Sequence, residues 1–261
     1  MVEVSIIVPC FCRADLTEVC IQSILTYCKK GSHSFELILV QEGEDKEITK
    51  LFEEYKNIRV PSSDIKNPSR NLVKFAHNKT PKGYSGALNT GLELATGKYV
   101  CFMNNDTVAV PGWMDEMIAC AKENENTGLV VPTFWGSGGR QSIDWNDGER
   151  FDFVDNIYGI IGVCFLIPRD VLDLVGKWDE DFFHGGEDFD IAYRIQQAGY
   201  SIFVARNSFI YHYGGASTRE LFGNDFETVR KNVYDRMKQF ADKHGLKIED
   251  IIEKLNTSNK I

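Results

Sequence analysis

The segment Tyr99-Val100-Cys101-Phe102-Met103-Asn104-Asn105-Asp106-Thr107 runs from an apolar start into consecutive polar side chains. Its apolar, aromatic and β-branched beginning reads as a strand covered on both faces. The Asn-Asn-Asp that follows puts side-chain oxygens just beyond a carboxyl end, where ligands of α/β sheets sit. A hard divalent cation takes oxygen ligands, and Mg2+ or Mn2+ needs only one or two carboxylates when substrate phosphates supply the rest. The competing reading is a strand-ending turn, because Asn and Asp hydrogen-bond their own backbone. On these residues alone the turn leads.

Outward from this strand, the N-terminal half alternates between strand and helix: strand 4–11, helix 15–29, strand 35–41, helix 44–55, strand 73–76, helix 85–95, strand 99–104 and helix 113–123. Such alternation implies an α/β fold with a mostly parallel sheet and right-handed crossovers. Leu16, Val19, Cys20, Ile24 and Tyr27 recur at helical spacing, and Gly31 marks that helix's end. Periodicity dissolves over 134–156, which predicts a long loop, either a functional lid or a surface insertion. Its Trp135, Arg140 and Trp145 are candidates to stack on or bond to a sugar. Beyond it the pattern predicts a strand over 162–167, a short helix from Arg169, a strand over 201–205 and an amphipathic helix over 226–244. That last helix carries Val229, Val233, Met237, Phe240 and Ala241 on one face, and the tail 257–261 is expected to fray.

A second acidic group lies far along the chain, in Gly185-Gly186-Glu187-Asp188-Phe189-Asp190. It heads a helical pattern of Ile191, Ala192, Ile195 and Ala198 that Gly199 ends. A helix N-terminus favours negative charge, and a glycine-rich entry lets a substrate approach closely. Simple capping is worth only ~0.5–2 kcal/mol and uses one acid; three exceed that need. Asp190 is expected to cap the helix or to pair with Arg194 one turn on.

The composition suits one sizeable α/β core: 261 residues, 43% of them hydrophobic and 12% aromatic. A formal charge of −9 argues against nucleic acid as a partner, since a phosphate polymer demands a basic face. The longest apolar runs, 4–11 and 160–167, fall well short of the ~20 residues of a membrane span. Met1-Val2-Glu3 lacks the basic region of a secretory leader. A cytoplasmic location is therefore expected, with at most peripheral association at the inner face of a membrane. Seven cysteines, an odd count with no Cys-x-x-Cys pair, read as reduced core residues.

Taken together, these pieces resemble the family 2 glycosyltransferases. The resemblance runs through Val4-Ser5-Ile6-Ile7-Val8-Pro9-Cys10-Phe11, Gly83-Tyr84-Ser85-Gly86-Ala87-Leu88-Asn89-Thr90-Gly91, Phe102 to Thr107, Gly176 to Phe183, Gly186 to Asp190 with Arg194, and His212-Tyr213-Gly214-Gly215-Ala216-Ser217. Each piece is weak alone, and their order and spacing carry the likeness. It implies a GT-A fold: a single Rossmann-like, mostly parallel mixed sheet flanked by helices. A nucleotide-sugar half (1–110) would be followed by an acceptor and catalytic half (111–223) and a C-terminal helical segment (224–261). The implied activity is transfer of a hexosyl or deoxyhexosyl group, rhamnosyltransferase-like or in related polysaccharide building. The donor would be a UDP-, dTDP- or GDP-linked sugar and the acceptor a glycan or glycolipid hydroxyl.

Site residues follow from the same resemblance. For the donor they are Pro9, Phe11, Arg13, Gln41, Glu42, Lys82, Asn89, Asn104 and Asn105, with Arg70 and Lys79 as further charges near the diphosphate. Relatives usually carry Asp where Gln41 stands, and its carboxamide both donates and accepts, which leaves the base open. Asp106 and His212 are the implied ligands of Mn2+ or Mg2+, with Asn104 replacing the first Asp of the family's Asp-x-Asp element. Asp188 is the implied general base of an inverting displacement, and Glu187 orients it or the acceptor; Trp135, Trp178 and Glu187 are the acceptor candidates. Two other classes stay open at this point. A sugar nucleotidyltransferase would need a glycine-rich phosphate loop after the first strand, which Pro9 to Arg13 lacks. The other is a non-catalytic nucleotide-sugar or carbohydrate binding module.

Overall fold

The computed structural model describes residues 2–28, 31–56, 73–135, 141–143, 148–214 and 225–258. Arg70, Arg140, Trp145 and Gly215-Ala216-Ser217 lie outside them. The strands are β1 (Val4–Cys10), β2 (Phe35–Glu42), β3 (Val73–Asn78), β4 (Tyr99–Met103), β5 (Thr107–Ala109), β6 (Thr127–Phe134), β7 (Phe151–Phe153), β8 (Cys164–Pro168) and β9 (Ser201–His212). The helices are α1 (Ala14–Cys28), α2 (Lys46–Lys56), α3 (Gly83–Leu92), α4 (Trp113–Glu123), α5 (Arg169–Val175), α6 (Glu187–Gln197), α7 (Phe226–His244) and α8 (Ile248–Ser258).

These strands form a nine-stranded mixed sheet in the order β3-β2-β1-β4-β8-β6-β9-β5, with β7 also on β9. The first four are parallel, as the alternating N-terminal pattern requires. From β4 onward the parallel character gives way: β8 enters antiparallel to β4 and to β6, and β5 and β7 run antiparallel to β9, leaving β6 and β9 as the one parallel pair on that side among the described residues. The parallel half thus ends at β4, and the Asn104–Asp106 turn projects from that seam.

Alternation along β1 feeds two cores. Val4, Ile6, Val8 and Cys10 pack with α1, α2 and α4 on one face, while Ile7 faces α3 and the C-terminal helices on the other. Four sequence expectations need correction. The long loop over 134–156 contains β7, whose Phe151–Phe153 pair with Ala205, Val204 and Phe203. The strand expected to end at residue 205 continues through His212, and residues expected to fray belong to α8 through Ser258. On α7, Met237, Phe240 and Ala241 are buried as the pattern demands, but Val233 is 52% exposed. No helix among the described residues is long and apolar enough to cross a membrane.

Candidate active site

Three segments converge on one cavity of about 460 Å3: the end of β1, the β4–β5 turn and the N-terminus of α6. Pro9, Phe11, Glu42, Asn104, Asn105, Asp106, Glu187, Asp188 and His212 all line it. Sheet register explains the first pairing. Thr107 lies opposite His212 in the β5–β9 ladder, and Tyr213 N–H donates to Asp106 O at 3.0 Å, so the neighbouring Asp106 is carried to the histidine. His212 Nε2 stands 3.2 Å from Asp106 Oδ1, and its ring meets Phe134 edge-on at 5.7 Å.

The acidic pair is set by its turn. Gly185 and Gly186 both have φ near +90°, a conformation that Cβ-bearing residues disfavour, and a Cβ on Gly186 would lie 3.0 Å from the Phe182 ring. That turn starts α6 with Glu187 and Asp188 in its first positions. Asp188 Oδ2 accepts from Gly162 N–H at 3.2 Å, and Oδ1 from Phe189 N–H at 2.9 Å. Burial raises the Asp188 carboxyl above its ordinary value, against the pull of those N–H groups. Burial, then the charge of Asp188, pushes Glu187 up to about 8, while backbone N–H groups and the Arg236 guanidinium pull the other way. Although Glu187 as a residue is half-buried, its Oε2 is sealed from solvent and has no hydrogen-bond partner among the described residues.

Other candidates are placed differently. The Gln41 carboxamide turns into the β2–α2 connection, donating to Gly43 O, Asp45 O and Thr49 Oγ1 at 2.9–3.1 Å, and is not in the cavity wall. Its neighbour Glu42 faces the cavity instead, accepting from Asn78 Nδ2 and from Lys82 N–H at 2.7 Å; burial raises its carboxyl despite these bonds. Lys82 therefore contributes its backbone there, and its side chain is not in the wall. Arg13 is ion-paired with Asp15 at 2.7 Å, outside the wall, and Lys79 is exposed. Asn105 lines the cavity while its Nδ2 ties Thr17 Oγ1 at 2.8 Å.

Asn89 and Trp178 prove to be internal. The Asn89 carboxamide brackets Trp178, donating to its O at 2.9 Å and accepting from its N–H at 3.0 Å. Trp178 is 4% exposed and packs edge-on to Phe102 at 5.0 Å, so its size serves the core and it does not face an acceptor. Trp135 is 64% exposed and outside the cavity wall.

Sequence reasoning left three neighbours of the site without a role. Tyr84 lines the cavity and donates its hydroxyl to Asn104 Oδ1 at 2.6 Å. Burial, followed by the charges of Glu187 and Asp188, holds that hydroxyl well above a phenol's usual value. His184 also lines the cavity, its imidazole lowered by burial and by Arg236. Arg236, on α7, lies against the Gly185-Gly186 turn: a Cβ on Gly186 would meet its Cβ at 3.4 Å. Tyr84 sits inside a quoted motif and had a signal; Arg236 sits in an unremarkable amphipathic helix and had none.

Comparison with known proteins agrees with this architecture. The family model described as Glycosyl transferase family 2 matches residues 5–176, and one described as Glycosyl transferase family group 2 matches residues 125–241. The O-antigen biosynthesis protein RfbC of Myxococcus xanthus is 25% identical over 241 residues, covering 83% of this chain and 18% of that one. The poly(ribitol-phosphate) beta-N-acetylglucosaminyltransferase TarP of Staphylococcus aureus (strain N315) is 24% identical over 213 residues, covering 77% of this chain and 60% of that one. The chain thus spans less than two thirds of these relatives' lengths. In fold it resembles S. aureus TarS 1-349 (TM-score 0.62, 17% identity, 97% of this chain and 69% of that one). It also resembles the mannosyltransferase PcManGT of Pyrobaculum calidifontis, solved with GDP-Man and Mn2+ (TM-score 0.61, 16% identity, 91% of this chain and 63% of that one). With more than half of its length matched by the family model, this chain belongs to glycosyltransferase family 2 and has the GT-A fold.

Proposed function

We propose that this enzyme moves a sugar from a nucleotide-diphosphate sugar to a hydroxyl of a glycan or glycolipid, with inversion, using Asp188 as general base and Asp106 with His212 as ligands of Mn2+ or Mg2+. One observation carries the reading: the Asp106–His212 pair and the Glu187–Asp188 pair, far apart in sequence, line the same cavity. The donor would enter over Pro9, Phe11 and the β4–β5 turn, in the half formed by 1–110. The acceptor would approach the N-terminus of α6, in the half formed by 111–223.

The donor set fits a divalent ion. A carboxylate oxygen and an imidazole nitrogen stand 3.2 Å apart on the cavity wall, a mixed O/N pair that Mn2+ accepts readily. No group of three or more His, Cys, Asp or Glu able to hold a metal occurs among the described residues, so the diphosphate oxygens would complete the shell. When bound, such an ion neutralises the charge that grows on the leaving diphosphate.

Asp188 keeps a lone pair on each oxygen beyond those used by Gly162 and Phe189 N–H groups, and its raised pKa makes it a stronger base toward a hydroxyl proton. Glu187, held protonated beside it, supplies an O–H that can orient the acceptor or Asp188.

Thermal melting against UDP, dTDP and GDP, with and without Mn2+, tests the donor half of this reading, because binding to the native state raises Tm. One nucleotide should give a Mn2+-dependent rise that is lost in Asp106→Ala. Asp188→Asn should keep that rise while losing about 10²–10⁴-fold in transfer. No rise with any of the three would refute the donor site, and undiminished transfer by Asp188→Asn would refute the base.

A further inference from the structure

Tyr84 opens α3 between the two halves of the site. Its N–H donates to Phe183 O at 2.9 Å, and the next residue's Ser85 Oγ donates to Phe182 O at 2.8 Å, so the ring is anchored to the segment that leads into Glu187. Its hydroxyl reaches the other way, to Asn104 Oδ1 at 2.6 Å.

The direction of that bond is determined chemically. Burial, followed by the acidic groups of the same cavity, keeps the phenol protonated and able to donate. Of the two heteroatoms in a carboxamide only the oxygen accepts, so Asn104 must turn Oδ1 toward Tyr84 and Nδ2 away from it. The rest of Asn104 is already held: its N–H donates to Val163 O at 3.0 Å, and its carbonyl accepts from Thr107 Oγ1 at 2.7 Å. Rotation of the amide is the freedom left, and the Tyr84 hydroxyl removes it. Asn104 Nδ2 has no hydrogen-bond partner among the described residues, and the residue lines the cavity.

We infer that Tyr84 is a positioning residue: its hydroxyl fixes the Asn104 carboxamide so that Nδ2 is presented to the cavity as a donor for an oxygen of the bound nucleotide. The inference rests on the donor-site reading above. A flipped amide would set Oδ1 against that oxygen, two acceptors facing each other, so an unlocked Asn104 spends part of its time repelling the ligand. Replacing Tyr84 by Phe keeps the ring and its packing and removes the lock alone.

The test is a double-mutant cycle read by calorimetric titration of whichever of UDP, dTDP or GDP raises the wild-type Tm most, in the presence of Mn2+. Tyr84→Phe should weaken Kd about 3–10-fold, the worth of one hydrogen bond, and should raise donor KM with little change in kcat. Asn104→Ala should weaken Kd at least as much, and the double variant should be no weaker than Asn104→Ala within about 2-fold. A purely structural role for Tyr84 would lower Tm without that non-additivity. As an independent measurement on unaltered protein, the Asn104 side-chain NH2 signal in a 15N-asparagine-labelled sample should shift when the nucleotide is added. Wild-type affinity in Tyr84→Phe, losses that multiply in the double variant, or an unmoved NH2 signal would each overturn the inference while leaving the donor site standing. Failure of the wild type to bind any of the three nucleotides would overturn the donor-site reading and this inference with it.

Discussion

Asp190→Asn should cost this protein about 2–3 kcal/mol of stability. Asp190 is 1% exposed, and two cations and a histidine converge on it: Lys243 Nζ at 2.5 Å and His244 Nε2 at 2.8 Å on Oδ1, Arg194 Nε at 2.9 Å on Oδ2. Breaking a buried ion pair typically costs about 3–5 kcal/mol. Three facts reduce the figure. Lys243 and Arg194 keep part of their side chains in solvent, and each retains other acceptors: Asp179 Oδ2 at 2.6 Å for Lys243, and Val175 O at 2.6 Å and Lys177 O at 3.0 Å for Arg194. The carboxamide also fills the same space, so no cavity opens. For a chain of this size the loss corresponds to a Tm drop of about 4–12 °C. Burial works to raise the Asp190 carboxyl, but the Lys243 hydrogen bond, the Arg194 charge and His244 outweigh it and hold it below the usual range. A group lowered on folding stabilises above its unfolded value and loses that contribution as pH falls through the folded value. The gap between wild type and Asp190→Asn should thus be present at neutral pH and close in acid. Urea denaturation at pH 7 and pH 3.5 reads both. A loss under about 0.5 kcal/mol at pH 7, or a gap that widens in acid, would show that Asp190 does not anchor these side chains.

Three further outcomes are expected. Glu187→Gln should stabilise the unliganded enzyme increasingly as pH rises. The native carboxyl titrates near 8 and the unfolded one near 4.3, so wild type loses stability across that window and Gln does not; melts at pH 5 and 8 that differ by the same amount would contradict this. Gly83→Ala should destabilise by about 1–3 kcal/mol or more, since φ is +76° and its Cβ would fall 2.4 Å from Phe183 O; an unchanged urea midpoint would dismiss the point. His212→Ala should make nucleotide affinity independent of Mn2+ while leaving the metal-free Tm nearly unchanged, and calorimetry that still shows a full Mn2+ effect would remove His212 from the ligand set.

Much of the candidate site was legible in the sequence because its residues sit where local patterning changes. The β4 strand turns polar at Asn104, and α6 begins after two glycines, so Asp106, Glu187 and Asp188 stand at element ends that periodicity alone identifies. What escaped depends on direction and not on position. Gln41 and Glu42 are adjacent at the tip of β2, and alternation sends one carboxamide into the α2 connection and one carboxylate to the cavity. Trp178 and Asn89 lie within recognisable motifs, yet their hydrogen bonds and ring contacts show that those motifs tie the core together. The β7 strand was missed because three residues carry too little alternation to separate from loop, and its pairing partner is far away in sequence.

The C-terminal helix α7 gains its importance from the same distance in sequence. Its Gln239 Nε2 donates to Asp181 O at 2.9 Å, Lys243 bridges Asp179 and Asp190, and Arg236 packs on the glycine turn that precedes Glu187. Each contact falls on the segment from Asp179 to Asp190, so one helix face holds the whole turn that presents the acid pair. A base works only when it stands within hydrogen-bond reach of its proton, so small displacements of this turn cost more in rate than in stability. Among the described residues Glu187 and Asp188, with carboxyls raised by burial, carry no ion pair to fix them; the ion pairs sit one turn further along, on Asp190. Separating the groups that anchor the turn from the groups proposed to do the chemistry leaves the latter free to hold or release a proton, because a carboxylate locked by Lys243 and Arg194 would be too acidic to serve as a base.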